Sequence, residues 1–105
     1  MEEEFIKACK DGNIDKVKFL IKNGINVNCV DGWSWNALMF ASRNGHLELV
    51  KFLIKNGINV DCVNNNGRNA LIFASVNGHL EVVNYLRKYN IKNNITMRNI
   101  EYNMI

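Results

Sequence analysis

"VKFLIKNGINV" runs from Val17 to Val27 and again, unchanged, from Val50 to Val60. The offset is 33 residues. Cys29-Val30 and Cys62-Val63 keep that offset, and so do Gly12-Asn13-Ile14, Gly45-His46-Leu47 and Gly78-His79-Leu80. Asn36-Ala37-Leu38, running on to Phe40-Ala41-Ser42, returns as Asn69-Ala70-Leu71 and Phe73-Ala74-Ser75. A fixed period of this length means stacked supersecondary units, none able to bury its apolar face alone.

The units share one local reading. Asn36 and Asn69 are N-caps, because a side-chain oxygen accepts from the orphan N–H groups of a helix start. A helix of about two turns follows, with Leu38, Ala41 and Leu71, Ala74 on its inner stripe. Asn44-Gly45 and Asn77-Gly78 stop it, since glycine takes positive φ without a Cβ penalty. A second helix starts at once, over about Leu47 to Asn56 and Leu80 to Tyr89, with Leu47, Val50, Leu53 and Ile54 at i, i+3, i+4 spacing. Asn23-Gly24 and Asn56-Gly57 end the second helices. "INVDCVNNNGR", from Ile58 to Arg68, alternates and carries turn residues, as a projecting hairpin loop would.

A 33-residue unit of hairpin loop and two antiparallel helices, carrying "G-H-L-E-x-V-x-x-L-x-x-x-G-x-x-V-[ND]", resembles the ankyrin repeat. The resemblance covers residues 1 to about 92. It implies an all-α solenoid forming a single domain over 1–105. Within it, 1–30 resembles an N-terminal capping repeat, 31–63 and 64–92 are repeats, and 93–105 is a degenerate C-terminal segment. The capping unit lacks a leading hairpin and keeps Glu2, Glu3, Lys7 and Lys10 for its solvent side, as a terminal repeat needs a polar outer face. The family's "T-P-L-H" is replaced by Asn36-Ala37-Leu38-Met39 and Asn69-Ala70-Leu71-Ile72. Losing that histidine is expected to cost about 1 kcal/mol per missing hydrogen bond. The pattern decays after Leu86, and residues from Asn93 onward are expected to be the least ordered part of the chain, a cap over Val83 and Leu86, or the start of a longer array.

Composition narrows the function. The 105 residues suit one domain and suffice for a core without metal or disulfides. No apolar run approaches the ~20 residues of a membrane span. Met1-Glu2-Glu3-Glu4 is acidic where a secretory signal is basic, so a cytoplasmic location is expected (a host cell's cytoplasm for a viral source). A net charge of +3 falls short of the dense basic face of a nucleic-acid binder. Cys9, Cys29 and Cys62 lack CxxC spacing and read as small buried residues. No cofactor, metal or small-molecule substrate is expected.

Nothing in the pattern builds a catalytic constellation. His46 and His79 occupy equivalent places and are expected to bridge neighbouring repeats, with no nucleophile or carboxylate at matching positions. Glu48 and Glu81 favour the positive ends of the second helices. No phosphate-cradling glycine loop occurs. Lys18, Lys22, Lys51, Lys55 and Lys88 line the outer face of the second helices, and a nucleic acid or acidic partner bound there is the alternative to the reading below. Asn28, with Asp61 one repeat later, stands where ankyrin loops resemble asparagine-hydroxylation sites.

Both tryptophans fall in the turn "DGWSWNAL", from Asp31 to Leu38. Two residues apart in an extended loop, Trp33 and Trp35 should point to one side. The resemblance implies that Trp33, Trp35, Arg43 and Asn44, with Asn66, Arg68, Val76 and Asn77 one repeat on, are variable positions of a concave binding surface. Tryptophan and arginine are enriched at binding hot spots. A protein–protein interaction module is therefore expected, monomeric and non-enzymatic, as adaptor, scaffold or decoy. Alternatively, the indoles fold back over the next hairpin and replace the packing lost with the "T-P-L-H" histidine.

Overall fold

The computed structural model describes residues 1–89. Six α-helices lie among them and no strand: α1 Glu2–Asp11, α2 Ile14–Lys22, α3 Ala37–Arg43, α4 Leu47–Lys55, α5 Ala70–Val76 and α6 Leu80–Arg87. They form three helix pairs in an all-α solenoid, with a projecting turn between successive pairs. The expected second helices are confirmed but end one or two residues early. The segment from Asn93 onward lies outside the described residues.

Several helix boundaries have a clear local cause. The Asn36 side chain accepts from Met39 N–H at 3.0 Å and Asn69 from Ile72 N–H at 2.9 Å. Asn13 does the same for Lys16 N–H at 3.2 Å. At the other end, Gly12 and Gly45 take φ of 71° and 74°. The left-handed turn lets the next N–H reach back: Asn13 donates to the Ala8 carbonyl and His46 to the Ala41 carbonyl, each at 2.9 Å. The chain reverses within two residues, and the second helix folds back against the first.

The core repeats with the sequence. Val17 and Val50, Leu20, Leu53 and Leu86, and Ala8, Ala41 and Ala74 are all buried at 33-residue steps. Each buried leucine contributes about 2 kcal/mol of transfer free energy. Phe5, Leu38 and Leu71 fill the space between the first helices. The slot held by Cys9 in the first unit holds Ser42 and Ser75 in the next two, all buried.

Hydrogen bonds tie unit to unit. His46 Nε2 lies 2.9 Å from the Lys10 carbonyl and His79 Nε2 lies 2.9 Å from that of Arg43. A carbonyl only accepts, so Nε2 carries the proton in both. The bridging role expected of the histidines is thus observed, and neither imidazole caps its own helix. Within the second unit, the Asn36 amide donates to the Asn59 carbonyl at 3.3 Å and ties the start of the first helix to the loop that leads into the next unit.

Candidate functional site

The turn that carries the tryptophans is built on one carboxylate. Asp31 Oδ1 accepts from Trp33 N–H at 2.9 Å and Trp35 N–H at 3.0 Å. The Asp31 N–H donates to the Trp35 carbonyl at 3.0 Å, and Val30 pairs with Asn36 in an isolated antiparallel bridge. One repeat later Asn64 Oδ1 takes the same role for Asn66 and Arg68 N–H, at 2.9 and 3.0 Å. Such side-chain acceptance is why Asp and Asn open tight turns. The two hairpins are joined by Asn65 N–H donating to the Trp33 carbonyl at 3.0 Å.

This geometry separates the tryptophans. Ser34, between them, has a φ of 65°, in the left-handed region. The loop is therefore a turn at that point, and the alternation of an extended strand does not apply. Trp33 projects into solvent, 71% exposed. Trp35 turns inward. Its ring lies 4.7 Å from Phe40 and 4.2 Å from Phe73 of the next unit, centroid to centroid. The Arg43 guanidinium stands over the same indole at 5.7 Å. Trp35 thus packs across the repeat boundary, on α5 and not over the next hairpin, while Trp33 stays free of such packing.

Five of the expected site residues meet in one concavity. Trp35, Arg43, Arg68, Val76 and Asn77, with Ile72 and Phe73, line an open depression of about 350 Å³. Val76 is an apolar side chain left 78% exposed. Arg43 and Arg68 are both exposed and neither has an ion pair among the described residues. The floor is aromatic and the walls carry two guanidinium groups. Trp33 lies outside this lining, on the hairpin beside it. Ile72 and Phe73 were not foreseen as lining residues; their place on the first helix, beside Val76, is the signal that marks them.

Three expected residues have structural duties. The Asn44 amide donates to the Lys10 carbonyl at 2.9 Å, beside His46, so it joins two units. The Asn77 amide donates to the Phe73 carbonyl of its own helix at 2.9 Å. The Asn66 N–H is held by Asn64 within the turn. Asn28, too, is engaged: its Oδ1 accepts from Asn59 N–H at 2.8 Å and its amide reaches the Gly57 carbonyl at 3.4 Å.

Burial pushes the Cys9 thiol up to about 12, with nearby Cys29 adding to the shift. Burial also raises Cys29 and Cys62. The thiolate, which is the nucleophile, is disfavoured at all three. Cys62 departs from expectation in being only part-buried, whereas Cys29 is buried. α1 begins at Glu2, two residues earlier in the repeat than α3, and its first turn lies close enough to Cys29 for Glu2 to act on its thiol. Among the described residues, no group of three or more His, Cys, Asp or Glu could hold a metal ion. No described helix is long and apolar enough to cross a membrane.

A solenoid of paired helices with glycine-closed turns, histidines bonding repeat to repeat and a hairpin-edged concavity defines a class of repeat protein. A family model of ankyrin repeats matches residues 5–97 in three copies, and the chain belongs to the ankyrin repeat family. That family consists generally of protein–protein interaction modules and is typically non-enzymatic. Among curated proteins, none matches the chain.

Proposed function

We propose that the chain binds a partner protein through its concave surface, with Trp33 as the exposed anchor and Arg43 and Arg68 orienting an acidic group of the partner over the floor made by Trp35 and Phe73. The observation that carries this reading is the concavity in which Trp35, Arg43, Arg68, Val76 and Asn77 come together. Two unpaired guanidinium groups beside an aromatic floor suit a partner that offers a carboxylate next to an apolar side chain. Trp33 adds a large rigid surface that loses little entropy on binding. Asn44, Asn66 and Asn77 set the edge of this surface and act mainly by holding it in shape.

The role is that of an adaptor, scaffold or decoy, acting as a monomer in the cytoplasm, with no catalytic step. The test is affinity capture from the source cells, comparing the native chain with one carrying Trp33→Ala, Arg43→Ala and Arg68→Ala. These side chains are exposed, so the fold survives. Loss of the captured protein supports the reading; capture at the native level removes it.

A further inference from the structure

The first and second helices are spaced differently. α1, α3 and α5 pack directly on one another, whereas α2, α4 and α6 meet their counterparts only sparsely. The splay opens a groove of about 500 Å³ on the outer side, away from the concave surface. Ile14 and Lys18 of α2 form one wall, and Lys51, Phe52 and Lys55 of α4 with Tyr85 of α6 complete it.

The lining follows the repeat. Phe19, Phe52 and Tyr85 are spaced by 33, as are Lys18 and Lys51, and Lys22, Lys55 and Lys88. Lys18 and Lys51 each reach forward to the ring of the next unit. Lys18 Nζ is 5.6 Å from the Phe52 centroid, and Lys51 Nζ is 5.6 Å from that of Tyr85. Lys88 approaches Tyr85 from its own end of the groove at 5.7 Å. Among the described residues, Lys51 has a carboxylate partner, Glu48 at 3.6 Å, and Lys18 and Lys55 have none. The floor is apolar, and the rim sets three ammonium groups against the one carboxylate of Glu48.

We propose that this groove is a second docking surface, and that its occupant is an acidic amphipathic helix of another protein. Its apolar side chains would lie on Phe52 and Tyr85, and its carboxylates would meet Lys18, Lys51 and Lys55. A single nucleic-acid strand fits less well, because three ammonium groups beside a carboxylate fall short of the continuous basic track such a strand needs. A lipid surface presses on a flat or convex apolar face, not into a slot between helices.

The experiment titrates the isotope-labelled chain with a synthetic helical peptide carrying leucines at i, i+3, i+4 and i+7 among glutamates. Amide shifts are expected around Lys18, along Lys51 to Lys55 and at Tyr85, and to weaken with added salt. Affinity should fall about tenfold or more in the Lys18→Gln, Lys51→Gln, Lys55→Gln chain, since three charge pairs at the groove rim are lost. It should survive the matching Lys→Arg changes and Trp33→Ala, which separates this surface from the concave one. Shifts confined to residues 31–35, or unchanged affinity in the glutamine chain, would overturn the proposal. So would tighter binding of an oligo-thymidylate or of phosphatidylserine vesicles through the same lysines.

Discussion

The His46 imidazole lies flat over Gly12, so close that a Cβ on Gly12 would sit 2.7 Å from the ring. The same ring holds the Lys10 carbonyl at 2.9 Å, so it cannot withdraw without breaking the bond between two units. His79 covers Gly45 in the same way, with a Cβ placed 2.5 Å from its ring. Over Gly78, nothing among the described residues lies within 4 Å. All three glycines share a φ near 73°. Replacement by alanine should therefore be graded. Gly78→Ala costs about 1 kcal/mol, from left-handed backbone alone. Gly12→Ala and Gly45→Ala add the displaced imidazole and its hydrogen bond, about 1–2 kcal/mol more. Urea unfolding of the three variants measures the difference; equal losses would mean that the histidine contact is not a constraint.

Ser34 tests the turn. It occupies the place that Gly67 holds one repeat later, and both have positive φ, 65° and 72°. Serine lacks glycine's freedom there. Ser34→Gly is expected to stabilise the chain by about 0.5–1 kcal/mol, and Gly67→Ser to destabilise it by a similar amount. A thermal shift of opposite sign in either variant would contradict the turn geometry.

The small-residue slot supplies a third expectation. Ser42 and Ser75 are buried, and neither hydroxyl has a hydrogen-bond partner among the described residues. An unsatisfied buried hydroxyl costs free energy that a methyl group does not. Ser42→Ala and Ser75→Ala should leave stability unchanged or raise it, by up to about 1 kcal/mol. Calorimetry showing a clear loss in both would mean that each hydroxyl has a partner.

Thiol labelling should follow burial. Cys62 is part-buried, while Cys9 and Cys29 are buried. An aromatic disulfide reagent at neutral pH is expected to modify Cys62 first and Cys9 last, Cys9 only as fast as the chain opens. The folded thiol of Cys9, near 12, lies above its ordinary 9.0. A pKa raised on folding gives stability that is present below the ordinary value and lost as pH rises toward the folded one. Stability should thus decline above about pH 9, and a Cys9→Ser chain should show a shallower decline.

Much of the fold was legible because the period carries it. The starts of α2, α3 and α5 follow from capping asparagines, and the stops of α1 to α5 from a glycine in the same register, whereas α6 ends at Arg87 without one. The candidate site was legible in composition but not in geometry. Trp33 and Trp35 were expected to share a side because period-2 alternation assumes an extended backbone. Ser34 breaks that assumption, and a serine gives no hint of positive φ. The hint lay at Gly67, one repeat later, where a glycine marks the same bend. The asparagines hid their roles similarly: Asn28 and Asn44 reach partners 31 and 34 residues away, across a repeat boundary that local pattern does not reveal. The groove on the outer side depends on how far the second helices splay, which is a property of packing.

The two tryptophans give the most direct measurement of the central claim. Trp35 packs between Phe40 and Phe73, so Trp35→Ala is expected to lower stability by about 2–4 kcal/mol. Trp33 is largely exposed, so Trp33→Ala should change stability by no more than about 0.5 kcal/mol. With the captured partner purified, its Kd is measured for the native chain, for Trp33→Ala, and for Phe19→Ala, which removes an exposed aromatic 61% open on another surface. Affinity is expected to fall about tenfold or more for Trp33→Ala alone, the size of a hot-spot loss. Native affinity in Trp33→Ala, with the loss found instead in Phe19→Ala, would contradict the account.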